Sequence, residues 1–215
     1  MKRGHTKAEA RQGGRPRRED SERKIAQLLH SAAEIFIQDG YAGTSMAKIA
    51  AAADIGKPTI YARFGNKANL FSMVVAHILE NHLLAVEECL EHGDPELGLR
   101  KQLSNILAAS TEPMFLGLFR LFLTEAHKFP EIFTAFNTLS EGSVRSLVPH
   151  LLRIEQQVKL TVPVEEVADM LLAMTNKVVM MESVQVGKRG AISADEEAGK
   201  IVEGVLYGVV TRKGR

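Results

Sequence analysis

Apolar residues recur along most of this chain with the period of a helix, and nowhere convincingly with the period of a strand. Over residues 21–39, Ile25, Leu28, Leu29, Ala32, Ala33, Phe36 and Ile37 fall at i, i+3, i+4, i+7, i+8, i+11 and i+12. That spacing lays one stripe along a helix. Gly40 ends the run, because glycine turns left-handed without steric cost. A shorter stripe follows, with Met46, Ile49, Ala50 and Ala53 on one face. Thr44 and Ser45 precede it with hydroxyls that can cap a helix amine end. Asp54 tolerates a left-handed turn, and Ile55 is an apolar plug. Gly56 and Pro58 then open a second short helix over 57–64. There Ile60 and Phe64 face inward, leaving Lys57, Thr59, Tyr61, Ala62 and Arg63 outside. Asn66 caps a further helix whose first residue is Lys67.

The same period predicts helices over 67–91, 95–110, 114–129, 130–152, 164–186 and 194–210. Gly93-Asp94-Pro95, Glu112-Pro113, Pro130, Thr161-Val162-Pro163 and a loop over 187–193 separate them. The expected fold class is all-α with about nine helices, a three-helix head followed by a larger helical body.

Two short helices across a tight turn form a helix-turn-helix, which points to double-stranded DNA. The charge distribution supports that reading. The net charge is +1, but residues 1–67 carry +6 and residues 68–215 carry −5. The basic end is the end with the helix-turn-helix. Residues 1–20 lack apolar periodicity and read as a mobile basic arm. Pro16 holds Arg15 extended, so Arg15, Arg17 and Arg18 can lie in a minor groove or rest loosely on phosphates. On the second helix, Lys57, Thr59 and Arg63 are candidate readers of bases or phosphates, and Pro58 can meet a thymine methyl. Tyr61 and Lys67 are expected to anchor phosphates, Lys67 from a helix amine end. Thr44, Ser45 and Lys48 are expected on the other side of the groove.

These residues resemble the DNA-binding head of the tetracycline-repressor (TetR) family. The resemblance rests on Gly40-Tyr41, Thr44-Ser45, Ile49-Ala50, Thr59-Ile60-Tyr61 and Phe64-Gly65-Asn66-Lys67-Ala68-Asn69-Leu70. It runs over roughly 21–71. Two positions depart from the family pattern, Asp54 in the turn and Gly56 after it. The resemblance implies a division into a flexible arm (1–20), a helix-turn-helix DNA-binding domain (21–67) and a ligand-binding and dimerisation domain (68–215). It also implies a homodimer joined through the last two helices, a small-molecule effector held in the body, and action as a transcriptional repressor on operator DNA.

Composition narrows the alternatives. Cys89 is the single cysteine, which precludes an intramolecular disulfide and suits a reducing compartment. No apolar run has membrane-span length, and the N-terminus has no apolar signal core. The cytoplasm is therefore the expected location, with no membrane partner. His77 and His82 are spaced off a shared helix face, so no metal is expected, and no cofactor motif or catalytic constellation is visible. An enzyme or carrier with a non-specific nucleic-acid tether remains the alternative class. The run 114–123 is apolar nearly all round, which suits either core or cavity wall. The candidate ligand residues are Phe115, Phe119, Arg120, Phe122, His127 and Met174, with Glu125 a further polar group nearby. The methionines at 170, 174, 180 and 181 suit an interface or a pocket wall.

Deleting residues 1–18 removes seven Lys/Arg against one Asp/Glu. The fold should survive, because no apolar stripe is lost. DNA affinity should fall most at low salt, where screening is weakest. A salt titration of DNA binding by the full and truncated chains checks this. Superimposable curves would remove the arm from the interface.

Overall fold

A computed structural model describes residues 18–83, 93–184 and 193–209. Among these residues are nine α-helices: α1 (Arg18–Gly43), α2 (Met46–Ala52), α3 (Lys57–Phe64), α4 (Lys67–Leu83), α5 (Pro95–Ser110), α6 (Pro113–Glu125), α7 (Pro130–Glu155), α8 (Val164–Val184) and α9 (Ala194–Val209). The fold is all-α, as the periodicity predicts. Arg18, counted with the arm in the sequence, begins α1. Arg15, Arg17, Cys89 and most of the expected 187–193 loop lie outside the described residues.

Local chemistry sets most helix ends. The Asp94 carboxylate accepts from the N–H groups of Glu96 (2.9 Å) and Leu97 (3.4 Å), capping α5, and Pro95 opens it. Pro113 and Pro130 open α6 and α7 in the same way. Helix α6 stops at Glu125, short of its expected end at Phe129. Proline disfavours helical backbone at the preceding residue, and Phe129 is extended, with φ −127° and ψ 91°. The N–H groups of Lys128 and Phe129 both donate to the Glu125 carbonyl, at 2.8 and 3.1 Å, closing a tight turn. Within α1, Gly40 has φ 74° and ψ 169°. That region is essentially closed to residues with a Cβ, so the helix breaks there and residues 41–43 form a separate turn.

Two apolar cores organise the chain. One joins Leu28, Leu29, Phe36, Ile49, Ile60, Phe64 and Phe71 from α1–α4 to Phe115, Leu118, Leu121, Ile132 and Phe136 from α6 and α7. The other holds Leu99, Leu103, Leu147, Leu151, Leu171, Ile201 and Val205 from α5 and α7–α9. The first core continues past residue 67, so the head and the near end of the body share one buried cluster. Close approach of α6 to α1 depends on Gly117. A Cβ at that position would lie 2.7 Å from Ile37 Cδ1 and 3.0 Å from Ile37 Cγ1.

Gly117→Val should therefore destabilise the protein by about 1–3 kcal/mol through overpacking. Ile37→Ala placed in that background should restore part of the loss. Urea unfolding of the wild type, both single variants and the double variant measures the coupling. Strict additivity would show that the two residues do not limit each other.

Candidate nucleic-acid interface and ligand cavity

The exposed face of α3 is built by what precedes it. Ser45 is the N-cap of α2, and its hydroxyl oxygen accepts from the Lys48 N–H at 3.2 Å. Asp54 takes φ 51°, the only positive φ at a non-glycine residue among the described residues. Gly56 is the N-cap of α3, and Pro58 lies in its first turn. Ile60 and Phe64 pin α3 to the core at 0% and 3% exposure, whereas Tyr61 is 50% exposed. Lys57, Pro58, Thr59, Ala62 and Arg63 are exposed with it. A helix of this length thus presents cations, hydroxyls and one aromatic ring on a single outer surface. Asn66 caps α4, its side-chain oxygen accepting from the Asn69 N–H at 2.8 Å.

Two residues expected at the groove point inward. Thr44 is buried, and its hydroxyl donates to the Gly40 carbonyl at 2.8 Å. The Lys67 ammonium donates to the carbonyls of Tyr41 (2.8 Å) and Thr44 (3.1 Å). It also lies 4.3 Å from the centre of the Tyr41 ring, a cation–π contact. Lys48 is exposed, and its ammonium pairs with the Asp39 carboxylate at the end of the long segment of α1.

Tyr41 is the joint between the head and α6–α7. Its ring stacks on Phe36 at 5.7 Å and meets Phe71 edge-on at 5.3 Å and Phe129 at 5.1 Å. The Glu125 carboxylate accepts from the N–H groups of Tyr41 (3.3 Å) and Ala42 (3.4 Å). The Tyr41 hydroxyl donates to Glu131 at the start of α7. Burial and that carboxylate push the phenol pKa up.

Beside α6 lies a cavity of about 170 Å³. Phe115, Phe119 and Phe122 meet there as the sequence suggests, joined by Phe133 and Phe136 of α7. The Phe122 and Phe136 ring centres are 4.8 Å apart, and those of Phe119 and Phe136 are 6.0 Å apart. Ser110, Asn137, Ser140, Ser143 and Asn176 supply polar lining. Arg120, His127 and Met174 are not in this wall. Arg120 Nε instead donates to the Ser183 carbonyl at the end of α8, at 2.7 Å. His127 is exposed in the α6–α7 turn, and Met174 is exposed on α8. Sequence periodicity places Phe133 and Phe136 on a helix but gives no sign that α7 turns them towards α6. A wider open groove of about 550 Å³ runs between the start of α5, the end of α7 and α9, with Leu97, Arg100 and Tyr207 on its walls. Among the described residues no His, Cys, Asp and Glu group is arranged to hold a metal, and no single helix is long and apolar enough to cross a membrane.

Comparison with known proteins bears on these features. Residues 28–74 match the family described as bacterial regulatory proteins, tetR family. The HTH-type transcriptional repressor BdcR of Escherichia coli (strain K12) is 33% identical over 90 residues, covering 42% of this chain and 44% of BdcR. This chain thus spans less than half the length of that relative. The solved structure of the TetR family transcriptional regulator PfmR from Thermus thermophilus is 25% identical, with a TM-score of 0.61 over 84% of this chain and 97% of PfmR. A Mesorhizobium loti structure shares the fold with a TM-score of 0.70 at 24% identity, over 89% of this chain and 98% of its own.

The raised Tyr41 pKa has a consequence at alkaline pH. The unfolded chain releases this proton as pH passes about 10, while the folded chain still holds it. Stability from this group is therefore present below that pH and falls as pH rises above it. Urea unfolding in neutral and in alkaline buffer should show a larger loss for the wild type than for Tyr41→Phe, which has no proton to release. Equal losses would separate the phenol from the Glu131 carboxylate.

Proposed function

The chain belongs to the TetR family of bacterial regulatory proteins, and on that premise we propose that it is a homodimeric, sequence-specific DNA-binding transcriptional repressor, released from its operator by a small apolar or amphipathic ligand. The observation that carries the reading is the outer face of α3, where Lys57, Thr59, Tyr61 and Arg63 are exposed while Ile60 and Phe64 hold the helix to the core. A short, firmly seated helix with that surface fits a major groove. Lys57, Pro58, Thr59 and Arg63 read base edges or phosphates, and Tyr61 holds a phosphate. Ser45 and Lys48 approach the flanking backbone, and Arg15, Arg17 and Arg18 add the attraction of the arm. Thr44 and Lys67 act from behind. They tie the Gly40–Tyr41 turn to α4 and so set the angle of α2 and α3. Lys67 keeps one ammonium proton for a phosphate.

Exposed apolar residues support a dimer through the last two helices. Met170, Met174, Met181 and Val184 lie exposed on α8, and Tyr207 on α9 is 63% exposed. A Cβ at Gly204 or Gly208 would meet nothing within 4 Å, leaving the backbone of α9 open to close approach. A protein acting on operator DNA in this way works in the cytoplasm.

Release follows from the position of α6. Phe122 is in the cavity wall, and Glu125, three residues on, holds the Tyr41 and Ala42 N–H groups. A ligand that shifts α6 shifts the joint beneath the head. It must favour the geometry that cannot bind DNA, since tight binding without preference moves no equilibrium. Operator DNA must then weaken ligand binding by the same factor.

Enrichment of duplexes from a random pool by the full chain, with its mass in solution measured in parallel, tests the proposal. The expected result is a dimer that selects a two-fold symmetric site, with half-sites spaced by about one helical turn or a multiple of it. Arg63→Ala should cost about 1–3 kcal/mol at one base position or weaken all sequences alike, according to whether it reads a base or a phosphate. Tyr61→Phe should weaken selected and random duplexes by similar factors. Failure to enrich any sequence over random duplex would defeat the reading.

A further inference from the structure

The walls of the cavity beside α6 restrict what can occupy it. None of its lining residues is Asp, Glu, Lys, Arg or His. An ionised occupant would give up its water with no opposite charge in the wall to replace it. The aromatic side chains impose a second restriction. Phe119, Phe122 and Phe136 form a mutually tilted set with ring centres 4.8–6.0 Å apart. Such a set offers both ring faces and ring edges, which favour another aromatic ring over a saturated one. Size is the third. The volume is about 170 Å³, close to the roughly 150 Å³ apolar cavity that admits benzene. One six-membered ring fits there, and a long acyl chain would leave much of its length outside the aromatic wall.

Polar groups are unevenly placed around this box. Asn137 and Asn176 line it but are exposed, so they stand at its mouth, whereas Ile106, Phe115 and Leu172 are buried at its base. The mouth therefore offers amide donors and acceptors, while the buried polar lining is limited to the hydroxyls of Ser110 and Ser143, the latter donating to the Leu139 carbonyl at 3.2 Å. We propose that the cavity takes an uncharged, single-ring aromatic molecule bearing one hydrogen-bonding substituent. Its ring lies among Phe119, Phe122 and Phe136, and its substituent points to Asn137 and Asn176. This assignment rests on the ligand-responsive reading above and names the chemical class of the effector.

Benzamide and benzoate have the same shape and differ in charge, and cyclohexanecarboxamide keeps the amide without the aromatic ring. Calorimetric titration of the full chain, without DNA, compares these three probes and decanoate. Benzamide should bind more tightly than benzoate, because the wall holds no cation to pair with a carboxylate, and more tightly than cyclohexanecarboxamide. Decanoate should neither bind nor displace benzamide. Phe119→Leu should weaken benzamide several-fold at an unchanged melting temperature. If that variant is unstable, Asn137→Ala, at an exposed position, should weaken benzamide and leave toluene binding unaltered. Benzoate binding as tightly as benzamide, preference for decanoate, or no binding of benzamide at millimolar concentration would each overturn the proposal. Operator enrichment is measured without any ligand, so its failure is a separate result. Benzamide binding that leaves operator affinity unchanged would support the site and count against release alone.

Discussion

A helix that breaks at a glycine in the left-handed half of backbone space leaves the next N–H groups without intrahelical acceptors. Here that break is at Gly40, and a carboxylate from a distant helix takes up the exposed groups. Glu125 accepts from Tyr41 and Ala42, and its Oε1 lies 2.7 Å from where a Gly40 Cβ would be. Glycine is therefore required by its φ, and its missing Cβ leaves the Glu125 carboxylate room in this position. Tyr41, the residue after the break, is 1% exposed. Its N–H and hydroxyl meet Glu125 and Glu131, and its carbonyl and ring both meet the Lys67 ammonium. The orientation of the head on the body follows from this one turn, because both α1 and α4 are tied to it.

Helix α6 serves several neighbours at once, and its composition reflects that. Gly117 lets it close on α1, Arg120 reaches the end of α8, Glu125 reaches the Tyr41 turn, and Phe115, Phe119 and Phe122 face the cavity. A helix hydrophobic on most sides is one with few solvent-facing positions. Displacing it by a fraction of an ångström at the phenylalanines must be absorbed at Gly117 or at Glu125, since close-packed interiors do not deform continuously. Contact with Ile37 leaves little slack at Gly117. The Glu125 hydrogen bonds, at 3.3 and 3.4 Å, are the longer and more adjustable end.

The two ends of the body differ in character. The core shared by the head and α6–α7 is rich in aromatic residues, and the far core is almost wholly aliphatic. Aliphatic packing of α5 and α7–α9 makes up the far end, where apolar side chains of α8 and α9 stay exposed. Aromatic packing around Tyr41 and Phe136 brings large, flat groups together at the junction of the head with α6 and α7.

The sequence alone determined the features that depend on neighbours within one or two turns. Helix periods, the caps at Ser45, Gly56 and Asn66, the left-handed Asp54 and the inward Ile60 and Phe64 all follow from local spacing and backbone chemistry. Tertiary structure decided where the longer polar side chains go. Thr44 and Lys67 sit in a motif that reads as surface, yet they turn onto the Gly40, Tyr41 and Thr44 carbonyls because α4 crosses the end of α1 there. Arg120 and Glu125 look like polar groups of a cavity and instead reach Ser183 and Tyr41. Phe133, Phe136, Asn137 and Asn176 enter the cavity only because α7 and α8 lie opposite α6. Periodicity says which side of a helix is buried. It does not say against what, because the partner is chosen by packing between elements far apart in the chain.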